Sequence, residues 1–87
     1  MTRELMLKKC EHMFKKCGVE YCVETRPNDG WIIYFPWCDG DIACHDYTSP
    51  ADDFVETYRF PWDNGDISAL HVDTAITKVC IYHEIMK

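Results

Sequence analysis

Hydrophobic positions recur every three to four residues at both ends of the chain and every second residue between them. Leu5, Met6, Cys10, Met13, Phe14 and Cys17 form one stripe, with Lys8, Lys9, Glu11, Lys15 and Lys16 on the other side. That is the pattern of an amphipathic helix. Thr2 supplies an N-cap, Glu4 lies in the first turn, and Gly18 is the stop signal. The period then changes to two. In VEYCVET, Val19, Tyr21 and Val23 alternate with Glu20, Cys22 and Glu24. After the turn-forming RPNDG, WIIYFPW places Trp31, Ile33, Phe35 and Trp37 on one face and Ile32 and Tyr34 on the other. The two segments read as a β-hairpin. A longer alternation places Phe54, Glu56, Tyr58, Phe60 and Trp62 together. TSPADD, just before it, reads as a turn in preference to a short helix capped by Ser49 with Pro50 in its first position. Asp73 is the expected cap of a final helix. Its stripe is Ile76, Val79, Cys80, His83 and Met86, with Ala75 and Tyr82 alongside.

Between these elements the chain repeats itself. FPWCDGDIA begins at Phe35 and FPWDNGDIS at Phe60, with Phe, Pro, Trp, Gly, Asp and Ile identical in both. Asp-Gly and Asn-Gly between alternating apolar runs are strong hairpin signals. Each copy is therefore expected to be a strand-turn-strand corner. The whole chain, residues 1–87, reads as one α+β domain of order α-β-β-β-β-β-α. It is an antiparallel β-meander of four to five strands flanked by an N-terminal and a C-terminal helix, both covering one face. Alternate turns of a meander fall at the same end, so the two corners share one rim, each with a Trp before it and carboxylates at its tip.

Composition adds a charge pattern. Net charge is −6, but residues 1–17 carry +3, residues 18–73 carry −10 and residues 74–87 carry +1. A surface of this sign does not bind a nucleic-acid backbone by counterion release; it attracts a basic partner. The N-terminus lacks the continuous apolar stretch of a signal peptide, and the chain lacks an apolar run long enough to span a membrane. A cytoplasmic location is expected, and the six cysteines are then expected to be reduced and mostly small buried hydrophobes.

Candidate chemistry is sparse. The turn carboxylates Asp39 and Asp41, or Asp63 and Asp66, are oxygen donors for calcium, but their spacing does not match a calcium loop. Cys38, Cys44 and His45 are close in sequence, yet no C-x₂₋₄-C pair is present. Cys44 and His45 are consecutive on a strand and so point to opposite faces. Cys80 and His83 are three apart on the last helix and both fall on its core stripe. Phosphate-loop, nucleophile-elbow and zinc-protease motifs are missing. An enzyme is not expected, and no cofactor is implied.

In size, charge and lack of catalytic motifs the chain resembles phage-encoded inhibitors of host nucleases, including anti-CRISPR proteins. The resemblance implies an inhibitor that presents carboxylates where its target expects phosphates. The expectation is thus a small acidic protein-binding module. Asp39, Asp41, Asp63 and Asp66 would meet a basic, nucleic-acid-binding partner, Trp37 and Trp62 would brace the corners, and exposed Tyr34 or Tyr47 would add aromatic anchors. The alternatives are a small zinc- or calcium-binding protein, and a structural or oligomerisation module that pairs with its own copies.

Overall fold

The computed structural model describes residues 1–47, 50–63 and 67–87. The order is α1 (Arg3–Cys17), β1 (Cys22–Thr25), β2 (Trp31–Tyr34), β3 (Asp41–Cys44), a single 3₁₀ turn (Pro50–Asp52), β4 (Phe54–Tyr58), β5 (Ile67–His71) and α2 (Val72–Met86). The strands form one antiparallel sheet in the order β1-β2-β3-β4-β5. This is the α-β-β-β-β-β-α meander that the periodicities predict.

Local chemistry sets the helix ends. Thr2 accepts the Leu5 N–H through its hydroxyl, and Gly18 closes α1 in the left-handed region at φ 72°. Val19 follows by donating to the Phe14 carbonyl at 2.8 Å, which turns it into the core and delays β1 to Cys22. At α2 the expected cap shifts by two residues. His71 is the N-cap and accepts the Asp73 N–H at 3.2 Å, so Asp73 lies in the first turn. There it pairs with Lys9 of α1.

The inner face of the sheet is built from two rows in register. Val23, Ile33, Ile42, Thr57 and Ser68 form one row; Thr25, Trp31, Cys44, Val55 and Leu70 form the other. Against them pack Met6, Cys10 and Phe14 from α1 and Val72, Ala75, Ile76 and Val79 from α2, all buried. Both helices therefore cover one face. The predicted stripes are right in phase and too wide: Leu5 and Cys17 are exposed, as is Met86.

Two strands are shorter than their alternation suggests, for one reason. Proline at the second position of a four-residue turn fixes φ and favours chain reversal. In both copies of the repeat the turn is the Phe-Pro-Trp segment itself. Cys38 donates to the Phe35 carbonyl at 3.3 Å, and Asp63 donates to the Phe60 carbonyl at 2.9 Å. Gly40 has no positive φ, so Asp39-Gly40 is not the hairpin turn. The Asn64-Gly65 half of that expectation, Asp66 and the proposed cap Ser49 lie outside the described residues. TSPADD was expected to be a plain turn; Pro50 instead opens a 3₁₀ turn, since its ring presets the first helical φ. The hairpin turn at RPNDG is as expected, with Asn28 and Asp29 both left-handed at φ 57° and 62°.

The two corners meet. The rings of Phe35 and Phe60 are both buried, with centroids 5.9 Å apart. Phe60 also lies on the backbone of Gly40, where a Cβ would sit 2.6 Å from two carbons of the ring. Gly40→Ala must therefore displace a buried aromatic ring. A loss of about 1–3 kcal/mol is expected, read as a lower urea midpoint and a melting temperature reduced by several degrees. Phe60→Leu in the same background should recover part of the loss. An unchanged midpoint in the single variant would show that Phe60 does not occupy this place.

Candidate functional site: the open face of the sheet

The two copies of the repeat differ where chemistry enters. Tyr34 and Tyr58 occupy the same row of the sheet. Copy two then holds one extra residue, Arg59, in the left-handed region at φ 61°. The extra residue throws Phe60 inward, so Phe60 and Trp62 leave the face that carries Phe54, Glu56 and Tyr58. It also makes Thr57, not the Tyr58 that sequence spacing would select, the equivalent of Ile33. Thr57 is fully buried, and its hydroxyl is held by the Asp63 carboxylate at 3.0 Å and the Ser68 carbonyl at 3.2 Å. The second Asp63 oxygen accepts the Phe60 N–H at 2.8 Å. Copy one pairs Ile33 with Cys38 at the corresponding places and needs no such bonds.

This assigns the sequence-predicted residues individually. Asp63 is half-buried and spent on internal hydrogen bonds. Asp39 is exposed at its corner. Asp41 opens β3 on the outer face, where burial pushes its carboxyl above the usual range and Arg59 opposes the shift. Asp66 lies outside the described residues. Trp37 and Trp62 both pack on Tyr82 of α2, at 5.9 and 6.1 Å, which places them on the helix side of the rim. Trp37 donates to the Glu20 carbonyl at 3.0 Å. Trp62 stacks on Phe60 at 4.4 Å, and its buried Nε1 has no partner among the described residues. The five of these residues that the structure describes thus divide between the rim, the core and the outer face, and do not form one patch.

Among the described residues no layer covers the outer face. One row runs Cys22, Tyr34, Asp41, Tyr58, Ile67, and the next runs Glu24, Ile32, Ala43, Glu56, Ala69; Phe54 and His71 pair beyond them. Tyr34 is 38 % exposed, Phe54 43 %, Ile67 51 % and, beside the face, Tyr47 69 %. Three carboxylates are interleaved with these rings. Glu24 accepts the Tyr34 hydroxyl at 2.8 Å and meets Arg26 at 3.3 Å. Glu56 accepts the Tyr58 hydroxyl at 2.7 Å and the Tyr47 hydroxyl at 3.2 Å. His45 stacks on Tyr47 at 4.9 Å and touches the Tyr58 hydroxyl at 3.1 Å. Burial and the Glu56 carboxylate raise the Tyr58 pKa strongly. Sequence reasoning had named Tyr34 and Tyr47 as anchors and had placed Phe54, Glu56 and Tyr58 on one face. It missed that this face is the uncovered one.

Other chemistry is dispersed. Cys44 is buried on the helix side while His45 borders the open face, as consecutive strand positions require. Burial raises the thiol pKa at Cys38 and Cys44, and to about 12 at Cys10 and Cys80, away from the thiolate that nucleophilic chemistry uses. The described residues contain no group of three or more His, Cys, Asp or Glu placed to hold a metal, and no helix long and apolar enough to cross a membrane. On the other side of the molecule, Pro61, Trp62, Lys78, Ile81, Tyr82 and Ile85 line an open groove of about 330 Å³.

Two predictions separate architecture from surface. Asp63→Ala leaves the Phe60 N–H without its acceptor and the Thr57 hydroxyl with the Ser68 carbonyl alone, and should lower stability by about 2 kcal/mol. Asp39→Ala should change it by less than about 0.5 kcal/mol. Urea denaturation of both variants checks the contrast, and equal effects would refute it. The second prediction concerns alkali. Tyr58 has a folded-state pKa above its unfolded value, so its contribution to stability is complete below about pH 10. That contribution is lost as pH rises towards the folded value, because only the unfolded chain ionises there. Stability should fall above about pH 10, and Tyr58→Phe should flatten the fall. The measurement is the denaturation midpoint against pH, with tyrosinate absorbance followed in parallel.

The chain matches no known family model, no curated protein and no solved structure, so the open face itself is what speaks to function.

Proposed function

We propose that the protein is a non-enzymatic binding module whose open sheet face docks on a basic protein surface of the kind that holds nucleic acid. The observation that carries this reading is the make-up of that face: exposed Tyr34, Phe54 and Ile67 interleaved with Glu24, Asp41 and Glu56, with no layer of described residues above them. Nucleic-acid grooves join cations, which meet phosphates, to aromatic and apolar surface, which meets bases. A face of carboxylates and rings offers both kinds of complement. Asp39 at the exposed corner and Asp41 at the start of β3 extend it towards the rim. Charge is also partitioned across the molecule. The basic residues of α1 lie on the covered side, and the acidic segments form the sheet and its connections. Such a field steers a basic partner to the open side. Blocking a nucleic-acid-binding partner is the activity that follows.

The test uses a panel of basic nucleic-acid-binding proteins beside acidic proteins of similar size, with binding measured at low and high salt. A complex with a basic member is expected. It should weaken with salt, be displaced by DNA or RNA, and lose about tenfold or more in affinity in Tyr34→Ala/Phe54→Ala. Both residues are exposed, so circular dichroism should show the variant folded. Complexes indifferent to that variant, or a preference for acidic proteins, would overturn the proposal.

A further inference from the structure

Within the open face one carboxylate is oriented but not neutralised. Glu56 is central in β4, opposite Ala43 on one side and Ala69 on the other. Two small side chains thus flank it, while Phe54 and Tyr58 precede and follow it on the same face. Its side chain is 17 % exposed. The Tyr58 and Tyr47 hydroxyls both donate to Oε2, at 2.7 and 3.2 Å. Oε1 accepts no hydrogen bond from the described residues. A carboxylate has about four acceptor sites, so half of its capacity is left over. The cationic neighbour of Glu56 among the described residues is His45, with Nε2 at 3.5 Å from Oε2, and it is charged only when protonated. A half-buried carboxylate without a full countercharge is costly unless something supplies one.

The surroundings specify what fits. Tyr47 is 69 % exposed and stacks at 18° on the His45 ring, which makes a flat two-ring wall beside the carboxylate. Tyr58 stands nearly perpendicular to His45, at 84°. A planar cation that donates through an N–H edge to the open Oε1 and at the same time stacks on a ring is a guanidinium. An ammonium is a compact point charge and uses only the carboxylate half of this arrangement.

We infer that Glu56, Tyr47 and Tyr58 form a receptor for one arginine side chain. The guanidinium would bond to the free edge of Glu56 and stack on Tyr47. The inference rests on the reading of the open face as the site for a basic partner, and it names the residue type that anchors that partner.

The experiment is a titration of the full-length ¹⁵N-labelled protein with N-acetyl-arginine-N-methylamide, followed by NMR. The citrulline compound, equal in shape but uncharged, and the lysine compound serve as controls. Saturable shifts confined to residues 45–47 and 54–58 are expected. Affinity should drop about tenfold with citrulline and should disappear in Glu56→Gln. Tyr47→Ala should weaken it severalfold, whereas Glu84→Gln, at an exposed carboxylate of α2, should leave it unchanged. Equal binding of citrulline, equal binding of lysine, shifts elsewhere, or a folded Glu56→Gln variant that binds as well as the parent would each overturn the assignment. If the arginine compound fails while basic proteins still bind in a Tyr34- and Phe54-dependent way, the receptor is wrong and the docking face stands. If the arginine compound binds as expected and no basic protein does, the wider reading falls and the receptor stands.

Discussion

The ring of Phe60 resting on Gly40 ties the two halves of the sheet together. The corner at Phe35–Gly40 joins β2 to β3, and the corner at Phe60 follows β4. Contact between them fixes two neighbouring reversals at one end of the sheet, and the register of β3 against β4 follows. Gly40 permits this approach because it has no Cβ; any other residue would enter the ring. From that junction the aromatic packing spreads to Phe14 of α1, at 5.3 Å from Phe35, and to Tyr82 of α2, at 6.3 Å from Phe60. Both helices are thereby held on the same side of the sheet, and the other side is left to solvent.

What faces solvent is then a matter of parity. With Ile33, Ile42 and Thr57 inward, the alternation of a strand sends Tyr34, Asp41, Glu56 and Tyr58 outward. A one-residue slip in any strand would exchange the two sets; the large apolar Trp31, Ile33, Ile42 and Val55 of the inner rows hold the register, while the outer rows carry the tyrosines and the carboxylates. The outer rings are not loose. Tyr34 is tied to Glu24 and Tyr58 to Glu56, strand against strand or along one strand. Hydroxyl-to-carboxylate bonds hold the rings in place and at the same time aim the carboxylates. A face so arranged loses little side-chain freedom when something docks on it.

Periodicity read the fold well, because element type depends on patterns that run over many residues. Thr2, Gly18 and the RPNDG turn were legible down to their backbone conformations. Boundaries were less so. WIIYFPW and FVETYRFPW continue to alternate after their strands have stopped, since Phe35 and Phe60 stay apolar as the chain reverses on Pro36 and Pro61. The proline in each segment was the signal, and in the first copy it outweighed the Asp-Gly pair that follows. The His71 cap was hidden because Asp73 is the more usual capping residue; β5 ends at His71 and hands its last residue directly to α2. The site was only partly legible. Tyr34, Tyr47 and the Phe54-Glu56-Tyr58 alternation could be read. Which sheet face the helices leave open could not, since that depends on how all five strands are phased together.

The repeat explains why carboxylates that look alike in sequence have different fates. Its shared Phe, Pro and Trp build both corners, as an apolar anchor, a fixed φ and a ring against α2, and in the first copy Gly40 leaves room for the ring of the second. Its variable position carries Cys38 in one copy and Asp63 in the other, and the difference tracks the inner row, Ile33 against Thr57. A buried threonine needs an acceptor, and Asp63 meets that need with one oxygen while closing its own turn with the other. Asp63 is therefore acidic for the sake of the core. Glu56, one residue before Thr57, is acidic on the opposite face, where its hydroxyl donors come from tyrosines and one oxygen remains open. Adjacent positions on one strand thus divide the two tasks: Thr57 and Asp63 close the molecule inward, and Glu56 turns a carboxylate, with His45 as its titratable neighbour, to the side that no layer of described residues covers.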